Sequence, residues 1–165
     1  MEEITVTKAR TKFKGLFDFG DYYRLLYDIF RSMGYNVVEQ KYKHKNIPTG
    51  DEIEIEWNCY KKVDDYSLFR IFAKTLIVGM EKVQVTVDGV QTKKEQADCE
   101  LELKCFVQTD YENRWETNPM MKFLKGVYDT YFYRATLETW KERVATDMHT
   151  VENEIKAFFN MQRFM

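Results

Sequence analysis

Residues 41–59 read KYKHKNIPTGDEIEIEWNC, and this stretch decides the architecture. Lys41, Lys43 and Lys45 alternate along its first part; Glu52, Glu54 and Glu56 alternate along its second. A loop from Asn46 to Asp51 folds one part onto the other, so that Lys45 faces Glu52, Lys43 faces Glu54 and Lys41 faces Glu56. Opposite charges directly across an antiparallel pair are worth about 0.2–1 kcal/mol each. The same register gathers Val38, Tyr42, Ile53, Ile55, Trp57 and Cys59 on the other face. With charge on one side and apolar groups on the other, the sheet must bury one face only.

Working outward, strands are expected at about 35–45, 51–62, 66–78, 82–88 and 97–109, with Val63-Asp64-Asp65 and Gly79-Met80-Glu81 as tight connections of an antiparallel meander. The second hairpin sets Phe69, Ile71 and Ala73 opposite Cys59, Trp57 and Ile55, with Lys74 facing Glu54. The third sets Val83 and Val85 opposite Ile77 and Thr75. The fourth sets Leu101 and Cys99 against those valines, with Lys82 facing Glu102. Residues 88–96 read as an exposed loop. Residues 3–13 alternate as a further strand, which closes the sheet beside the last one by setting Arg10 against Glu102, Lys12 against Glu100 and Ala9 against Leu103.

Two helical patterns complete the order. Asp18 precedes Tyr22, Leu25, Leu26, Ile29, Phe30 and Met33, which recur at three and four residues. Asp18 serves as N-cap, Phe17 staples against Tyr22, and Gly34 suits the C-terminal stop. From Asn118 and Pro119, a cap and a first helical position, the chain is helical. Leu137, Trp140, Val144, Met148, Val151, Ile155 and Phe158 form its stripe. One helix over residues 119–163 would be about 67 Å long, against about 24 Å across six strands. The stripe also slips phase near Arg134, which predicts a break between Gly126 and Ala135.

The 165 residues suit a single domain of α+β class: about six strands curved around a long C-terminal helix. A formal charge of −2 argues against a dedicated binder of nucleic acid or anionic membrane. The basic alternation Lys8, Arg10, Lys12 and Lys14 is the best nucleic-acid lead, and Glu100 and Glu102 on the neighbouring strand offset it. No apolar run reaches the roughly 20 residues a membrane span needs, and MEEITV lacks the features of a signal peptide. Cys59, Cys99 and Cys105 fall at inward strand positions without metal-ligand spacing, so a reducing, cytoplasmic setting is expected.

No nucleophile, metal or phosphate-loop motif is present, and no cofactor is expected. His44 lies on the inward parity of its strand beside Gln40 and Tyr42, whereas His149 lies next to the helical stripe at Met148. The run Tyr128, Tyr131, Phe132, Tyr133 could line a pocket or close the end of the core.

Strand, helix, antiparallel meander and long final helix: in this order, from about Ile4 to Phe159, the chain resembles the helix-grip superfamily of START-type, Bet v 1-type and polyketide cyclase-like proteins. The resemblance rests on element order and length, and no site residue transfers by motif. It implies an apolar small molecule held between sheet and final helix. Trp57, Ile71, Thr75, Val85, Leu101 and Leu103 would line such a chamber from the sheet, and Tyr131, Trp140, Val144 and Met148 from the helices. Gln40, Tyr42 and His44 would supply polarity. The first expectation is therefore a non-enzymatic carrier for a hydrophobic small molecule. The competing one is a solid-core interaction module, a homodimer through its C-terminal helices, suggested by Met120, Phe123, Phe159 and Phe164 off the main stripe. An enzyme using His44 as base is the third.

Overall fold

The computed structural model describes residues 1–163, so Phe164 lies outside the described residues. The elements are β1 (Glu2–Phe17), α1 (Phe19–Ser32), β2 (Asn36–Ile47), β3 (Gly50–Lys62), β4 (Ser67–Val87), β5 (Val90–Thr109), α2 (Pro119–Tyr131) and α3 (Arg134–Arg163). The strands form one antiparallel sheet in the order β1-β5-β4-β3-β2. It has five strands rather than six, because residues 66–78 and 82–88 belong to one strand.

The charge ladder pairs as its alternation requires: Lys45 with Glu52, Lys43 with Glu54, Lys41 with Glu56. At the opposite side of the sheet Arg10 pairs with Glu102, Lys12 with Glu100 and Ala9 with Leu103. In the β3–β4 hairpin the partners of Cys59, Trp57 and Ile55 are Ile71, Ala73 and Thr75, two residues beyond the predicted register. A two-residue slip keeps every side chain on its face. Lys74 consequently pairs with Glu56 yet reaches both Glu54 (3.2 Å) and Glu56 (3.4 Å).

Two bulges account for the larger departures. On β2 the register shifts between Glu39 and Lys41, leaving Gln40 unpaired. Val37 rather than Val38 thus shares the inner face with Cys59, and Glu39 comes to lie opposite Trp57. On β4 the expected turn at Gly79-Met80-Glu81 is a bulge between Val78 and Glu81. The true turn is Asp88-Gly89, both with positive φ (51° and 80°), the signature of a type I′ hairpin. Residues 90–96 are therefore strand and not loop, Leu101 pairs with Thr75, and Lys82 pairs with Glu95 rather than Glu102. The extra residue reverses parity, so Val83 and Val85 leave the inner face and pair with Lys94 and Thr92 on a two-stranded extension.

Gly50 shows why glycine marks the β2–β3 turn. Its φ is +115°, and an added Cβ would stand 2.7 Å from the carbonyl carbon of Gly79. Gly50→Ala is expected to cost about 2 kcal/mol or more, from strain in backbone and contact together. An unchanged urea midpoint would contradict this close approach of turn and bulge.

Helices α1 and α3 share the inner face. The Asp18 carboxylate caps α1 by accepting from the Asp21 amide (2.9 Å), and Asn118 caps α2 through the Met121 amide (2.9 Å). The predicted break falls at Phe132-Tyr133, between α2 and α3. On α3, Val144, Met148, Val151, Ile155 and Phe159 are buried at helical spacing. Phe159 therefore belongs to the core rather than to an outer surface. It stacks on Phe13 (4.3 Å between centroids, 8°) and on Tyr22 (5.6 Å). No helix among the described residues is long and apolar enough to cross a membrane.

Candidate functional site

Most of the residues expected to line a chamber lie together in the core. Trp57, Ile71, Thr75, Leu101, Leu103, Val144 and Met148 are all buried, and the apolar ones belong to one packed cluster. The Thr75 hydroxyl is 2.9 Å from the hydroxyl of Tyr22, so the polar group on the inner face is already satisfied. Burial pushes the Cys59 and Cys99 thiols up to about 12, which keeps them protonated and unreactive at neutral pH.

The remaining candidates lie elsewhere. Val85 sits on the hairpin extension, and Tyr131 on α2 is 77% exposed. Trp140 is half-buried, with its ring 5.8 Å from Phe69 and its indole N–H donating to Asp64 (3.1 Å). Gln40 is the exposed bulge residue, and Tyr42 and His44 are exposed beyond it. His44 Nε2 is 3.0 Å from Asp51 Oδ2 near the turn of the hairpin, and the His44 side chain is exposed although its strand partner Ile53 is buried. His149 contacts Glu152 (3.2 Å) on the solvent side of α3.

One hollow, about 240 Å³, lies between β1 and α3 beside Thr11 and Phe159. Another, about 510 Å³, opens toward the charged side of the sheet, bordered by Lys12, Phe13, Lys14, Leu76, Val78, Asp98, Cys99 and Glu100, and a third of about 300 Å³ continues it past Gly79 and Gln96. The latter two follow from the β4 bulge, and both carry mixed charge. Across that face the strands alternate in sign. Arg10 bridges Glu100 (3.1 Å) and Glu102 (3.2 Å), and Lys104 bridges Glu102 (3.0 Å). Lys41 bridges Glu54 (3.0 Å), and Lys41 and Lys74 together hold that carboxyl below its ordinary range. Among the described residues no cluster of His, Cys, Asp or Glu could hold a metal ion.

One polar network lies at the elbow between α2 and α3. The Asp64 carboxylate, in the β3–β4 turn, accepts from the backbone amides of Tyr66 (2.8 Å) and Ser67 (2.5 Å). It also accepts from Tyr133 (3.2 Å) and Trp140 (3.1 Å). Tyr66 donates in turn to Asp129 on α2 (2.6 Å), and burial raises both tyrosines, Tyr133 to about 12. Four donors on one carboxylate clamp the elbow to the sheet.

Helix α2 is the most unusual element. Met120, Phe123, Leu124, Val127 and Tyr131 recur at helical spacing as one stripe, and all but the half-buried Val127 are exposed. Met120 is 73% and Phe123 71% exposed, whereas Lys125 on the opposite side is buried. The Lys125 ammonium lies 3.9 Å from carboxylates of both Glu2 and Glu116. Tyr128 packs inward on Tyr66 (5.7 Å) and Trp115 (5.9 Å). The helix is thus amphipathic the wrong way round for an isolated molecule. Sequence periodicity exposes the stripe, but only the inward anchors at Lys125 and Tyr128 reveal which way it points.

No protein-family model and no characterised protein matches this chain.

Proposed function

We propose that the protein is an interaction module that pairs with a second copy of itself through the outward stripe of α2. The observation that carries this reading is the inversion of α2, with Met120, Phe123, Leu124 and Tyr131 turned to solvent and a lysine turned inside. At about 150–250 Å² for a whole aromatic side chain, the stripe leaves on the order of 550 Å² of apolar surface exposed. That is at the upper end for an isolated monomer. It is also about two-thirds of the roughly 800 Å² that each partner contributes to a stable interface.

A single helical stripe is self-complementary about a two-fold axis, which favours a closed pair over a chain of molecules. Antiparallel crossing near Leu124 and Val127 would set Met120 against Tyr131 of the other copy. The order strand, helix, meander and long final helix supports placing the chain among helix-grip proteins, as a member whose gripped space is filled. A carrier for an apolar molecule would have to hold it among Trp57, Leu101 and Met148, which belong to one buried cluster.

Sedimentation velocity of the wild type and of Phe123→Ser tests the proposal. The wild type is expected to dimerise with concentration, and the variant to associate at least about tenfold more weakly, as for a central aromatic anchor. Because Phe123 is exposed, thermal stability at monomeric concentration should be unchanged. A wild type that stays monomeric at every concentration overturns the reading.

A further inference from the structure

The β2 bulge creates a second surface, independent of α2. By displacing Gln40 it turns Glu39 toward Trp57, and the Glu39 carboxylate accepts from the Trp57 indole N–H (2.9 Å) and from the Tyr23 hydroxyl (2.8 Å). Both bonds fall on one oxygen, Oε2. Aromatic rings surround this group. Tyr23 stands edge-on to Trp57 (5.1 Å, 81°) and to Tyr42 (6.5 Å, 74°), and Tyr27 stands edge-on to Trp57 (6.2 Å, 83°). Tyr27 is 42% and Tyr42 48% exposed, so the cluster opens to solvent between helix α1 and edge strand β2.

Among the described residues Glu39 has no cationic partner. Lys41, its neighbour on the strand, turns to the other face and bridges Glu54. Burial and Glu39 together push Tyr23 up to about 12, so it remains a donor to the carboxylate. An exposed carboxylate is therefore set beside a group of aromatic rings, with one of its oxygens free of protein donors among the described residues.

We propose that this cluster binds a weakly hydrated organic cation, a guanidinium or alkylated ammonium head group. Ring faces favour such cations, and a single carboxylate beside them supplies the charge-assisted hydrogen bond that a guanidinium can use. A small metal ion fits poorly, since a single carboxylate that already accepts from one phenol and one indole supplies too few ligands. The head group could be free or carried on a basic peptide.

N-acetyl-arginine amide and its uncharged isostere N-acetyl-citrulline amide are the probes, followed by ¹H–¹⁵N NMR of the full chain. Saturable shifts are expected at Tyr23, Glu39 and Tyr42 with the arginine amide, and binding at least about tenfold weaker with the citrulline amide. Glu39→Gln should weaken the arginine amide about tenfold, and Tyr42→Ala about two- to fivefold. Tighter binding of an arginine-containing peptide than of the free amide would identify a protein segment as the source, and equal binding a small molecule. Equal response to arginine and citrulline amides, or arginine binding untouched by Glu39→Gln, overturns the proposal. Sedimentation of Glu39→Gln should match the wild type, so the outcome is separable from pairing through α2.

Discussion

Asp64→Ala is expected to lower the unfolding free energy by about 3–5 kcal/mol, because several part-buried hydrogen bonds to one charged group are lost together. The loss is large because four donors depend on one side chain: the amides of Tyr66 and Ser67, the Tyr133 hydroxyl and the Trp140 indole. Each buried donor left without an acceptor costs about 1–3 kcal/mol. Asp64→Asn keeps an acceptor oxygen at the turn and should cost less than half as much. Urea unfolding followed by tryptophan fluorescence measures both, because Trp140 is itself one of the donors. An alanine variant within 1 kcal/mol of wild type would mean that the turn holds the elbow by packing alone.

Phe159→Ala is expected to cost about 3–5 kcal/mol as well, by a different route. The ring lies 4.3 Å from Phe13, 5.6 Å from Tyr22 and 5.7 Å from Phe17, and so joins β1, α1 and α3 at one end of the core. Removing it leaves a hole that the rings of Phe13 and Phe17 on β1 and Tyr22 on α1 cannot close together. The sharpest comparison is with Phe123→Ser, a polar replacement of an equally large ring that should leave monomer stability intact. Chemical denaturation of the two variants side by side checks the assignment. Similar losses would place Phe123 in the core, and similar neutrality would take Phe159 out of it.

Much of the sheet is legible in its charges. Lys and Glu on alternate positions report the open face directly, so the β2–β3 and β1–β5 registers follow from side-chain chemistry alone. The buried face is less informative, because Ile, Ala and Thr tolerate a two-residue slip, and the β3–β4 register moved by that amount. Bulges are the real blind spot. Gly79-Met80 resembles a turn until Asp88-Gly89, a stronger hairpin signal, is given precedence. Gln40 gives no local sign of being skipped, yet skipping it brings Glu39 to Trp57. The cation site depends on that shift, and two of its three tyrosines, Tyr23 and Tyr27, come from helix α1. Helix α2 is the intermediate case: its stripe is visible in the sequence, whereas its orientation depends on Glu2 and Glu116 receiving Lys125.

The alternation of sign from strand to strand on the open face has an effect beyond the surface itself. Rows of opposite charge a few ångströms apart cancel at distances comparable with the Debye length, about 8–10 Å at moderate ionic strength. A partner approaching that side meets almost no guiding potential, and its capture rate should be nearly indifferent to added salt. Recognition by this molecule is accordingly a matter of touch, decided where rings and a lone carboxylate or an oily helix come within a bond length or two of what they bind.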